Sequence, residues 1–210
     1  MLRRLIAPVA LVLALSACAP APAPTGAGAP SSPAPSATPA PAPTPDYDVP
    51  VVQSTLPPVR AAVPPVRVQI GAAGIDIDVI PVGVEAGGFM ELPENPAIAG
   101  WYRFGSDPWS PDGNTVISAH IDAPEYPIGP FAELRGLVPG SEVTVLGQDG
   151  AAAVYDVASV TYYPKQDLPT DEIFARMGTR SLVLITCGGA FDSSTGRYAD
   201  NVVVVAAPRT

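Results

Sequence analysis

The stretch "SLVLITCGGAFDSSTGRYADNVVVVAAP", residues 181–208, decides the architecture. Its two ends, "SLVLITC" and "DNVVVVAAP", are short, nearly continuous runs of apolar and β-branched residues. Runs of that length, flanked by turn residues, read as buried strands. The loop between them folds the chain back. The first run stops on a cysteine, Cys187, and two glycines follow. Ten residues on (197 − 187 = 10), Arg197 stands at the mouth of the last strand.

Working outward, the same signal recurs from Val66. "VRVQIG" and "IDIDVIPV" alternate apolar and polar residues, as strands with one wet face do. "NTVISAH" is a further strand that ends on His120. "SEVTVLGQDGAAAVYDVASVTYY" reads as a hairpin turning at Gln148-Asp149-Gly150, because Asp-Gly is a strong turn signal. Helix is scarce. "GPFAELRGL" suits one or two turns, and "PTDEIFARMG" a short helix with Thr170 as N-cap and Gly178 as stop. About eight strands in roughly 140 residues predict an all-β fold, a closed barrel or a sandwich, with one or two short helices.

Upstream of this domain the composition changes. "MLRRLIAPVALVLALSAC", residues 1–18, reads as a secretory signal, with Arg3 and Arg4 ahead of an apolar run too short to span a bilayer as a mature helix. It ends in Leu15-Ser16-Ala17-Cys18, which resembles the bacterial lipobox and implies diacylation of Cys18. Each buried CH₂ of an acyl chain contributes about 0.8 kcal/mol, so two chains anchor a protein durably. An uncleaved N-terminal signal anchor is the other route to the same membrane. Residues 19–65 are rich in Pro and Ala and read as a disordered tether. A stiff tether of that length reaches on the order of 100 Å. The domain proper is expected over 66–210.

Charge narrows the partners. The chain carries a net −9, and loss of Arg3 and Arg4 would take it to about −11. Nucleic-acid binding needs clustered Lys and Arg, and only one residue here, Lys165, is a lysine. Electrostatic docking on an acidic membrane surface is disfavoured for the same reason. No compact carboxylate cluster marks a metal site, and no cofactor motif is present.

The cysteine count then points to chemistry. The chain has two cysteines, Cys18 and Cys187. If Cys18 is acylated, Cys187 has no intramolecular partner, and a leftover thiol in an exported protein suggests intermolecular pairing or a reactive thiol. The chain has one histidine, His120. A cysteine nucleophile works as its thiolate and is usually managed by a nearby imidazole. A Cys–His enzyme on this chain can use only these two residues. Sequence alone does not tell whether their side chains meet. Arg197 could stabilise a developing oxyanion, but an arginine past a turn is ordinarily a solvated surface group, and spacing leaves it undecided. Asp122, two residues after His120, either biases the imidazole's charge or, more simply, helps a turn before Pro124.

The order of "SAHID", then "LITCGG", then "TGRYADN" resembles the sortases, cysteine transpeptidases of Gram-positive surfaces, and within them most closely the class F sortases of actinobacteria. The similarity covers Val66 to Pro208. The family's T-L-x-T-C strand corresponds to Val183-Leu184-Ile185-Thr186-Cys187, with Val in place of the first Thr. The resemblance implies a closed barrel of about eight strands. It maps the family's catalytic His, Cys and Arg onto His120, Cys187 and Arg197. It implies cleavage of an LPxTG-like sorting signal through a Cys187 thioester, with transfer to an amine of peptidoglycan or a pilin, or to water. No cofactor is expected, and calcium dependence stays open. The substrate groove is expected between the strands flanking residues 170–177, and Gly188 and Gly189 are expected to keep space open beside the thiol. Leu168-Pro169-Thr170 superficially looks like a sorting signal, but Pro169 precedes a helix start and no apolar and basic tail follows.

Other readings are weaker. Peptidoglycan hydrolases of the cysteine type usually place Cys before His and at a helix start. L,D-transpeptidases carry a Ser-His-Gly-Cys run, which "LITCGG" does not match. A lipid-anchored, catalytically weak peptide-binding module on the same barrel is the alternative from a different functional class.

Overall fold

Alternation fixes the first hairpin. In the computed structural model, which describes residues 60–209, β1 (Pro65–Ile70) and β2 (Ile75–Val82) pair antiparallel, with Val68 and Ile77 side by side in the interior. Their wet face carries an ion pair, Arg67 Nε to Asp76 at 2.6 Å, with Asp78 at 3.1 Å from the same guanidinium. β3 (Ile98–Tyr102) lies parallel to β2, and β4 (Asn114–Ser118) runs antiparallel to β3. β5 (Glu142–Gly147) and β6 (Ala152–Pro164) form the expected hairpin, turning through Gly150 at φ +84°. β7 (Ser181–Asp192) and β8 (Arg197–Pro208) form a second, longer hairpin.

The eight strands close into a barrel in the order β1-β2-β3-β4-β7-β8-β6-β5. It is a mixed barrel, because β2/β3 and β4/β7 are parallel pairs. The signal segment, Cys18 and most of the tether lie outside the described residues. Arg60, the first described residue, already belongs to the domain. Its guanidinium pairs with the carboxylate of Asp107, which is 2 % exposed. Pro64 O accepts from Gln148 N at 2.9 Å.

Two apolar layers result from strand alternation. Inside the barrel, Leu182 and Leu184 of β7 meet Val202, Val204 and Ala206 of β8, with Ile117, Tyr155 and Trp101. The 3-10 turn Pro130–Gly136 contributes Phe131 and Leu134 to this interior. Outside, Val116, Val183, Ile185 and Val203 form a second cluster on the β4-β7-β8 face. It is covered by Ile173 of the single helical turn α1 (Thr170–Ile173), with Leu168, Phe174 and Tyr163.

α1 corrects the expected helix. Pro169, not Thr170, is its N-cap, Thr170 is its first residue, and the helix stops after one turn at Ile173. Its carbonyls have other partners. Asn114 Nδ2 donates to Glu172 O at 2.8 Å and Ile173 O at 3.1 Å, and Asn114 N donates to Ala175 O at 2.8 Å. Those bonds dock the segment onto the start of β4 in place of further helix. Gly178, at φ +94°, is a turn residue further on.

Candidate active site

The β4–β7 pair sets the site. It is parallel, with Asn114 opposite Ser181 and Ser118 opposite Ile185. The offset is 67 residues, and two side chains hold it: Ser118 Oγ donates to Ile185 O at 3.0 Å, and Thr186 Oγ1 donates to Ala119 O at 2.9 Å. Ala119 N donates to Ile185 O at 3.2 Å. Continued past the last paired row, the same offset brings His120 level with Cys187 (187 − 120 = 67). Adjacent strands lie about 4.8 Å apart, so the two residues are neighbours across one strand spacing.

Alternation also sets their faces. Ile117 and Ala119 are in the interior cluster, whereas Val116 is in the outer one. Leu182 and Leu184 point in, whereas Val183 and Ile185 point out. By the same period of two, His120 and Cys187 sit at outward positions, beyond the end of the covered apolar layer. Both are partly buried. Thr186, 3 % exposed, faces inward, so the residue before the thiol ties its strand to the histidine's strand.

Three groups surround the sulfur or its neighbours. Lys165 Nζ lies 3.9 Å from Cys187 Sγ. Tyr198 donates its phenol proton to Asp122 Oδ2 at 2.6 Å, binding β8 to the segment just after His120. That hydrogen bond, more than burial, holds the Tyr198 phenol above its ordinary value; the nearby Cys187 and Asp122 charges add to the effect and Arg135 opposes it. Asp122 is therefore engaged with Tyr198, just ahead of the turn at Pro124 that Tyr126 N closes on Ala123 O at 3.1 Å. Neither Lys165 nor Tyr198 was singled out for the site from sequence. A sole lysine after a strand end was the one legible trace.

Arg197 lies farther away. It is exposed and stands opposite Asp192 at the tip of the β7–β8 hairpin, while Cys187 stands opposite Asn201. Among the described residues its guanidinium makes no ion pair. The register, extended two residues past β4, thus directs His120 toward the row of Cys187 and leaves Arg197 four residues along β8 from that row (201 − 197 = 4).

The two glycines serve the hairpin. The β7–β8 register shifts between Gly188 and Phe191, where Gly189 takes φ +74°. This is the geometry of a glycine bulge. A Cβ at Gly188 would collide with Val202, and one at Gly189 with Asp200. The expectation that they hold open a space is replaced by close approach of β7 to β8. Among the described residues no group of three or more His, Cys, Asp and Glu side chains is gathered for a metal.

A closed mixed barrel, with Cys187 on a strand parallel to the one that precedes the single histidine, frames the site. The sortase domain family matches residues 68–209, and the chain belongs to the sortase family. A search of the curated proteins gave no match. Among solved structures the fold is similar to sortase C-1 from Actinomyces oris, at TM-score 0.54 and 19 % identity, covering 69 % of this chain and 73 % of that one. Sortase C2 of the Group B Streptococcus pilus island 1 gives TM-score 0.52 and 19 % identity over 69 % and 73 %. Sortase C from Clostridium perfringens SM101 gives 0.51 and 15 % over 69 % and 68 %. Identities this low speak to the fold alone.

Proposed function

We propose that this sortase-type transpeptidase cleaves an LPxTG-like sorting signal between Thr and Gly and passes the acyl group to an amine of peptidoglycan or a pilin, or to water. Cys187 Sγ attacks the Thr carbonyl carbon, and the displaced electron pair goes to the oxygen. Collapse expels the Gly amine, which takes a proton from His120. The acceptor amine then gives its proton to His120, attacks the thioester and releases the Cys187 thiolate. Arg197 is assigned to the bound peptide or the oxyanion, which it would reach by movement of the β7–β8 hairpin tip. The motif order around His120, Cys187 and Arg197 supports a class F enzyme.

The observation that carries this reading is the common level and outward face of His120 and Cys187. The lipobox at Cys18 and the Pro-rich residues after it support a domain held outside the cell on the membrane by acyl chains, or by a signal anchor.

Incubation with a library of LPxTG-like peptides and hydroxylamine tests the chemistry. A hydroxamate formed by the wild type and not by Cys187→Ala is expected. Equal inertness of both across the library would favour a peptide-binding module. Arg197→Lys keeps the charge and loses the planar fork, and near-normal kinetics would remove Arg197 from the site. Mass spectrometry of the mature N-terminus reads the anchor, and an unmodified Cys18 rejects lipidation.

A further inference from the structure

Lys165 is the chain's sole lysine. It opens the 3-10 turn Lys165–Asp167 where β6 ends. The last pairs of β6 put Tyr163 opposite Asn201 and Pro164 opposite Asp200. Across β8, Asn201 faces Cys187 and Asp200 faces Gly188. Lys165 therefore leaves the sheet two strands from the sulfur, about 10 Å in strand spacings. Its side chain crosses β8 to end 3.9 Å from Sγ. By the period of two, Asn201 is the outward β8 residue in the sulfur's own row, between Tyr163 and Cys187.

We propose that Lys165 is the cation that holds the Cys187 sulfur in its nucleophilic state. The proposal rests on Cys187 being the nucleophile and adds a residue that the His–Cys–Arg resemblance does not contain. The thiolate is the attacking species, and cations beside it favour it. Around it stand two carboxylates, Asp122 and Asp200, with His120 beyond β4 and Arg135 near Tyr198. Asp122 lies on Tyr198, and Asp200 faces the next row of β7. Arg197, at the hairpin tip opposite Asp192, is not the cation at the sulfur. An ammonium on a flexible stem is a compact charge with rotatable donors. When the S–C bond forms and negative charge moves from sulfur to the acyl oxygen, such a group can follow it without losing its anchor on β6.

The experiment uses the full chain with Cys18→Ser, which leaves Cys187 as the only thiol. Alkylation rates are measured with neutral iodoacetamide and anionic iodoacetate. Lys165→Met is expected to slow both and to lower the iodoacetate-to-iodoacetamide ratio by about fivefold, whereas Lys165→Arg retains the ratio within about twofold. Salt at about 1 M should bring the wild-type ratio toward that of Lys165→Met. Wild-type rates with both reagents in Lys165→Met overturn the proposal. A Lys165 effect on alkylation, with peptide cleavage that survives Cys187→Ala, upholds the cation at the sulfur and overturns the transpeptidase reading instead.

Discussion

Ser118 and Ile185 stand opposite each other on the parallel strands β4 and β7, and their offset of 67 residues, the same number that separates His120 from Cys187 in sequence, directs the chain beyond β4 toward the sulfur's row. The pair is thus a property of strand pairing, and the backbone of both partners is fixed before either side chain does chemistry. Replacement of His120 by Gln should leave the melting temperature within about 2 °C, since the residue lies past the covered layer. Turnover of a sorting-signal peptide should fall by about 10²–10⁴, the usual contribution of a general acid and base. Steady-state kinetics and calorimetry on one preparation check both halves.

Thr186 pins that register from inside the barrel. Thr186→Val keeps the shape, removes the donor and leaves Ala119 O unpaired in a buried place. The expected cost is about 1–3 kcal/mol of stability, read by urea unfolding. Activity should fall by more than the stability loss accounts for. Full activity would mean that the parallel register survives on backbone bonds alone.

The Tyr198–Asp122 latch is a positioning contact for the segment carrying His120. A hydrogen bond worth about 1 kcal/mol corresponds to about a fivefold rate change, so Tyr198→Phe should lower kcat by roughly that factor with little effect on KM. The phenol is held above its ordinary value, so the wild-type contact persists below the normal tyrosine range and is lost as pH climbs past it. An alkaline fall in kcat in the wild type, missing in the variant, is the signature.

How much of this could be read from the chain depended on the range of the interaction. Period-two alternation in "IDIDVIPV" and the Asp149-Gly150 turn are local, and both hold in the structure. β3, "IAGWY", escaped because a short parallel strand buried in the sheet, with Gly100 in it, lacks alternation. The helix at α1 was legible, but its end was not, because Asn114, some 58 residues away, takes carbonyls at its C-terminal end. His120 stood out as the sole histidine and Cys187 as the cysteine outside the lipobox. Lys165 and Tyr198 did not, since only closure of β6 and β7 onto β8 carries them to the site.

Substitution at the bulge should be costly for steric reasons. Gly188→Ala pushes a methyl into Val202, and Gly189→Ala adds a left-handed backbone to a clash with Asp200. Each is expected to destabilise by about 1–3 kcal/mol, with Gly189→Ala also reducing activity. Thermal denaturation alongside cleavage assays separates the two effects. Unchanged stability in Gly188→Ala would show that β7 and β8 can part without loss.

Tyr155 gives the barrel an alkaline limit. Its hydroxyl donates to Pro108 O at 2.9 Å in the interior, and burial pushes its phenol up to about 12. Between about pH 10 and 12 the unfolded chain loses this proton while the folded one keeps it. Stability present below that window is therefore lost through it, on the order of 2 kcal/mol. Tyr155→Phe should start about 1 kcal/mol less stable at neutral pH and fall less steeply. Parallel pH–stability curves for wild type and variant would contradict this.

The clasp between Arg60 and Asp107 has a mechanical consequence. It sits beside the loop leading into β4, at the same end of the barrel as Gly147 and Ser181, whereas His120 and Cys187 occupy the other end. From Asn114 to His120 an extended strand spans about 20 Å. Tension arriving through the residues ahead of Arg60 is thus taken up at one rim, by an ion pair and the Pro64–Gln148 bond, and the working rim bears none of it directly. A pull on the chain ahead of Arg60 would therefore load the rim farthest from Cys187 first.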